Sequence, residues 1–169
     1  TLGMPRAAFR ASWNRKELSS DGIDSMEFLI SANPGEPPRP LAKIASGGEM
    51  SRIMLAIKSV MASEDSMPTM IFDEIDVGVG GRTAEVIGQK LGSLASRAQV
   101  LCITHLPQIA SRSGEHFYIE KQLADERTVV RVRKLTDDER VEEIARMLGG
   151  ASMTDAAVRH AKEMLGLVE

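Results

Sequence analysis

Of cysteine, tryptophan and tyrosine the sequence holds one residue each in 169. A lone Cys102 excludes an internal disulfide, and between Leu101 and Ile103 it reads as a small apolar side chain in a reducing, cytoplasmic setting. Aromatic residues at 4% provide no stacking platform for single-stranded nucleic acid. No apolar run approaches bilayer-spanning length, so no membrane partner is expected. A net charge of -3 argues against coating nucleic acid by gross charge. Neither a basic nor an apolar leader follows Thr1, and a start of this kind is expected for a piece cut from a longer chain. There is no internal repeat and no low-complexity tract.

What is present fits one lobe over 1–169, with 43% hydrophobic and 27% charged residues. "AAFRASW" and "SMEFLISA" alternate as strands around the turn "SSDGID". The proline-rich "NPGEPPRP" excludes a helix or a central strand. "SGGEMSRIMLAIKSVMAS" predicts a helix with Ile53, Met54, Ile57, Val60 and Met61 on one face, apolar nearly all round and therefore buried. Then "TMIF", the helix "GRTAEVIGQKLGSLA" and "QVLCIT" alternate, which predicts parallel strands covered on both faces. "LPQIAS" is a short helix; "HFYIEKQ" and "TVVRVRKL" form a hairpin around Ala124, Asp125 and Glu126. "DDERVEEIARMLGG", capped at Gly149, and "TDAAVRHAKEMLG" close the chain as helices. The fold class is α/β, with flanking helices and a β-hairpin.

Three stretches bear chemistry. Asp73 and Glu74 follow the apolar strand at its carboxyl end, where ligands sit in open α/β sheets. Strand alternation would send them to opposite sides, one to hold a divalent cation through water, the other to face an attacking water. The plain alternative is a pair of acids that cap a helix or solvate a loop. The glycines after them, Gly78, Gly80 and Gly81, lack the lysine and spacing of a phosphate cradle, and are expected to let a loop cross close to another surface. Ser46 opens its helix with Gly47 and Gly48 leaving N–H groups bare, an anion site by geometry; Glu49 three residues on makes a capping box the competing explanation. His105 follows the second apolar strand at the acidic edge, as a phosphate-facing imidazole or a capping residue.

Together "LAKIASGGEMSRIMLAIK", "IFDEIDVGVGGRTA" and "ITHLPQIA" stand in the order of an ABC-type ATPase head, and the whole chain resembles the SMC-like branch of that superfamily. The resemblance implies the C-terminal lobe of a head, lying after the returning coiled-coil arm and serving DNA double-strand-break repair. It implies Asp73 as the Walker B aspartate supporting Mg2+, and Glu74 as catalytic glutamate. His105 becomes the γ-phosphate-sensing histidine. Ser46, Gly47, Gly48 and Glu49 form the signature loop, where the first three contact the γ-phosphate of ATP held by the opposite head. Gly80 stands where the superfamily usually has an aspartate. No Walker A pattern occurs, so the implied partners are an N-terminal Walker A lobe of the same protein, a second head by homodimerisation, and DNA through the full-length, nucleoid-associated protein. Two rival functions are a non-catalytic ATP-gated dimerisation clamp on DNA and an unrelated phosphatase-like hydrolase with Asp73 as nucleophile. Arg127, Arg131, Arg133 and Lys134 cluster on the hairpin as a possible DNA-facing patch, although a solvated strand face fits an acidic chain better.

Overall fold

A computed structural model describes residues 2–32, 34–44, 46–61, 68–124, 127–150 and 153–167. Its first element pair is an antiparallel hairpin, β1 (Ala8–Ser19) and β2 (Gly22–Ser31). Phe9, Ala11 and Trp13 lie opposite Ile30, Phe28 and Met26, so the alternation gathers one apolar face, with the Phe9 and Phe28 rings 5.2 Å apart. The strands outrun the expected turn. The ladder continues to Ser19 opposite Gly22, with a register shift after Arg15, and only Ser20 and Asp21 reverse the chain. Gly22 at φ 91 makes that tight reversal possible, and Lys16 Nζ closes on Asp21 at 2.9 Å. In the proline-rich stretch, β3 (Arg39–Pro40) adds an edge to β2, the place in a sheet where a missing N–H is tolerated. Asn33 lies outside the described residues.

Helix α1 (Gly47–Met61) follows a 3-10 turn at Leu41–Lys43. The expectation that α1 is buried all round is corrected. It buries Gly48, Arg52, Ile53 and Leu55, while Met54, Met61 and Val60 are exposed, the last at 83%. Ala62 and Ser63, also expected in this helix, lie outside the described residues. β4 (Thr69–Phe72) and β5 (Gln99–Cys102) pair in parallel, residue by residue from Thr69 with Gln99 to Phe72 with Cys102. Between them α2 (Gly81–Ala95) spaces Ala84, Ile87, Leu91 and Leu94 three or four apart, a stripe that covers one face of the pair. Leu55, Phe72, Ile75 and Ile109 complete this core. Each fully buried Leu55, Ile75 or Ile87 contributes about 1.5–3 kcal/mol relative to exposure. The opposite face is open: Ile71 is 70% exposed, and Leu101 and Ile103 are exposed with it. Cover on both faces is therefore not found among the described residues.

α3 (Pro107–Ala110) packs against α2 where Gly88 has no side chain; a Cβ there would meet the Gln108 carbonyl at 2.8 Å. β6 (Phe117–Ala124) and β7 (Arg127–Lys134) form the second hairpin. Asp125 and Glu126 of its expected turn lie outside the described residues. On this hairpin Arg133 binds Glu139 at 2.5 Å and Lys134 pairs with Glu115, so two of the four clustered cations Arg127, Arg131, Arg133 and Lys134 are already engaged. Arg133 also stands 5.5 Å from the Tyr118 ring centroid. α4 (Asp137–Gly149) opens with a complete capping box: Thr136 Oγ1 accepts from Glu139 N, and Glu139 Oε2 accepts from Thr136 N. Its C-cap is Gly150 at φ 68, one residue beyond the Gly149 read from sequence, since Gly150 is the position that leaves helical geometry. With α5 (Asp155–Met164), α4 builds a second core from Ala110, Val141, Ile144, Ala145 and Ala161.

Candidate functional site

The parallel pairing of β4 and β5 brings their carboxyl ends side by side, with Ile103 N donating to Phe72 O at 3.0 Å. Asp73 and Glu74 step off β4 at that edge, both exposed, and Thr104 and His105 step off β5. Glu74 does not continue the strand. At φ 55 it is left-handed, a conformation of order 1–3 kcal/mol for a residue with a Cβ. Several contacts hold it there. Asp73 Oδ1 accepts from Glu74 N at 2.8 Å, Glu74 O accepts from Val77 N at 3.1 Å, and Ile75 is fully buried behind. Glu74 therefore leaves the strand by a turn, and the strand alternation expected from sequence does not extend to it.

The turn is sewn to the first coils of α1. Ser51 Oγ donates to Asp73 O at 2.7 Å, and Arg52 Nη1 donates to Ile75 O at 3.3 Å and Val77 O at 2.9 Å. Burial holds the Arg52 guanidinium below its ordinary value, and the nearby Glu49 charge works against that. The two glycines of "SGG" are where this contact is closest. A Cβ on Gly47 would lie 2.2 Å from Glu74 Oε2, and one on Gly48 would lie 2.8 Å from Glu74 O. The Glu74 carboxylate thus rests on the amino end of α1, where the helix dipole favours negative charge. Ser46 caps the same end: its Oγ accepts from Glu49 N at 3.4 Å and its carbonyl accepts from Met50 N at 3.0 Å. Capping by Ser46 is real and leaves the anion-favouring terminus in place. A cavity of about 380 Å³ adjoins it, lined by Arg6, Pro34, Ser46, Glu49, Arg52 and Gly78 among others.

His105 is 72% exposed, yet its ring is not loose: Nδ1 lies 3.0 Å from Oδ2 of Asp76. Asp76 itself is buried, and the same Oδ2 accepts from Thr104 Oγ1 at 2.6 Å and from His105 N at 2.8 Å. The sequence reading gave Asp76 no part. The available signal was a carboxylate set directly after Ile75, a residue that is fully buried. Arg52 and Ser51 were likewise missed. The expected close crossing by the glycine loop is not seen; Cβ atoms at Gly78, Gly80 and Gly81 would meet nothing within 4 Å. Gly78 and Gly81 serve by conformation, at φ 72 and 49.

The structure therefore brings Ser46, Gly47, Gly48 and Glu74 to one surface and joins His105 to Asp76 beside it. Among the described residues no three histidine, cysteine or acidic side chains converge on a metal position. Asp73 offers one exposed hard oxygen donor, which fits a Mg2+ that keeps most of its waters and takes other ligands from phosphate. The α1 terminus fits an anion. The sequence supplies no lysine cradle for a triphosphate.

No family model matches the chain. It is 52% identical over 149 residues to the DNA repair protein RecN of Bacillus subtilis, covering 88% of this chain and 26% of that protein. With RecN of Halalkalibacterium halodurans it shares 49% over 171 residues, 98% of this chain and 30% of the relative. The chain thus spans less than a third of the curated relatives it matches. Among solved structures, an Smc head domain with a coiled coil and joint from Pyrococcus yayanosii superposes with a TM-score of 0.58 at 19% identity, over 83% of this chain and 26% of that one. An SMC ATPase described for its ATP-driven dimerization and DNA-stimulated activation gives 0.50 at 17%, over 88% and 85%. At such identities these establish the fold alone, that of an SMC-type head. Over the segment that it spans, this chain belongs to the RecN family of DNA repair proteins.

Proposed function

We propose that this chain is the C-terminal half of an SMC-like ATPase head that acts in DNA double-strand-break repair and hydrolyses ATP in a composite site formed when two heads meet. The observation that carries this is the contact of Gly47 with the Glu74 carboxylate. It fixes the signature turn and the acidic strand end on one lobe, so that when two heads meet each lobe offers its α1 terminus to the opposite head's ATP while its Asp73 and Glu74 serve its own. In this role Glu74 takes the proton from the attacking water, and Asp73 holds Mg2+ as one ligand among waters and phosphate oxygens. Ser46, Gly47, Gly48 and Glu49 present the helix terminus to the γ-phosphate of ATP on the opposite head, and His105 meets the γ-phosphate from the β5 side. The N-terminal lobe of the same protein supplies the lysine cradle, a second copy supplies the opposing head, and DNA is engaged through the complete, nucleoid-associated protein. The names and folds of the relatives support this assignment.

The test is Glu74→Gln in the complete protein. It should bind ATP as before and turn over about 10²–10⁴-fold more slowly, the usual contribution of a positioned general base, with ATP-engaged dimers accumulating in light scattering. Turnover within a few-fold of the parent removes Glu74 as the base and leaves an ATP-gated clamp.

A further inference from the structure

Asp76 spends one oxygen on three donors. Its Oδ2 accepts from the hydroxyl of Thr104 at 2.6 Å, from the backbone N–H of His105 at 2.8 Å, and stands 3.0 Å from His105 Nδ1. The carboxylate is buried, with 4% of its side chain exposed, whereas the imidazole it touches is 72% exposed. That asymmetry carries information. An exposed histidine with no partner would sample its rotamers and both neutral tautomers. Here the inner nitrogen faces an acceptor that offers no proton in return, because a carboxylate surrounded by donors can only accept. The proton is thereby placed on Nδ1, and Nε2 is left facing outward from the strand edge. A charge-assisted bond of this kind is about twice as strong as a neutral one, and it fixes ring direction as well as protonation. The support runs deep: Thr104 Oγ1, after donating to Asp76, accepts from Leu106 N at 3.1 Å, so the β5 exit is braced from both sides.

We infer that Asp76 is a positioning residue, which through Nδ1 holds the His105 ring in one orientation and one tautomer so that Nε2 addresses the ligand at the strand edge. This rests on the function proposed above only for the identity of that ligand. With Nδ1 bonded to Asp76, Nε2 is the ring nitrogen left to meet a phosphate oxygen, which it can bond only while it carries a proton. Without Asp76 the ring is free to turn and to carry its neutral proton on Nε2, so any hydrogen bond to the ligand must be found from many orientations. Positioning losses of this kind cost up to about 10²-fold in turnover.

The first measurement needs no variant. In the 15N-labelled chain, His105, assigned by comparison with His105→Gln, should show a protonated, solvent-protected Nδ1 and a bare Nε2 in its neutral form. Asp76→Ala, confirmed as folded by its amide spectrum, should lose that protection and show a substantial Nε2–H population. A wild-type ring protonated on Nε2, or a tautomer indifferent to Asp76→Ala, overturns the inference whatever the chain's activity. The second measurement uses the complete protein. Asp76→Ala and His105→Ala should each lower kcat, and the double variant should lose no more than the larger single loss. Additive losses mean that Asp76 acts other than through His105 and also overturn it. If the ring behaves as expected while neither substitution alters turnover, the positioning stands and the ATPase role assigned to His105 falls.

Discussion

Two adjacent glycines of α1 face the same residue and should respond to alanine in different ways. At Gly48 a Cβ would lie 2.8 Å from the Glu74 carbonyl oxygen, 0.6 Å inside the 3.4 Å at which ordinary contact begins, and 3.1 Å from both Arg52 Nη1 and Val77 Cβ. The first of those atoms is backbone, in a turn already held at φ 55 and buried behind at Ile75, so it cannot yield cheaply. Overpacking of this sort costs about 1–3 kcal/mol. Alanine returns about 0.5–1 kcal/mol as the better helix former. The balance is a loss of up to about 2.5 kcal/mol, which for a chain of this size lowers Tm by up to roughly 10 °C. At Gly47 the obstacle is Glu74 Oε2, the far end of an exposed side chain that can swing aside. Gly47→Ala should therefore unfold within about 2 °C of the parent, yet slow ATP turnover in the complete protein, because the carboxylate that moves is the proposed base. Thermal unfolding of both variants by circular dichroism, at one chain concentration, decides the matter. Should Gly48→Ala melt above the parent, as helix propensity alone predicts, the close approach of α1 to the acidic turn would be refuted.

Thr136→Ala removes one half of the α4 capping box and should cost about 0.5–2 kcal/mol, read from denaturant unfolding; an unchanged midpoint would mean that the Glu139 half suffices. His116 carries a buried Nδ1 with no hydrogen-bond partner among the described residues, and burial pushes its pKa below the ordinary 6.5, with Glu143 opposing and Arg140 assisting. The unfolded chain then binds the proton first as pH falls, so stability is complete above 6.5 and is lost as pH drops through the lower folded value. His116→Gln should flatten that slope, and identical slopes in parent and variant would exclude His116 as its source.

Much of the frame could be read from residues alone. The stripe Ala84, Ile87, Leu91 and Leu94 set α2 to its observed bounds, and "TMIF" matched β4, because periodicity and turn residues agreed in both places. Asp73, Glu74 and His105 were placed at one edge because parallel strands share their carboxyl ends. Other features lay beyond a local reading. The polar half of β1, from Asn14 to Ser19, is strand because its backbone ladder continues, which no side-chain pattern announces. Apolar residues on α1 and β4 declare what would gain from burial, and not whether this chain brings anything to cover them; Val60 and Ile71 are the cases in point. The left-handed Glu74 and the bond from Asp76 to a histidine 29 residues away arise from tertiary contact, to which periodicity is blind.

The β1–β2 hairpin gives the protein an optical gauge. Trp13 is the sole tryptophan, it stands 66% exposed on the apolar face opposite Met26, and the sole tyrosine, Tyr118, sits on the other hairpin. Indole emission therefore reports one position only. A hydrated ring emits at long wavelength and is open to aqueous quenchers; an apolar surface laid over it shifts the light to the blue and shuts the quencher out. Whatever comes to rest on this face, whether another part of the protein or a second copy, will announce itself in the colour of a single residue, with no label attached.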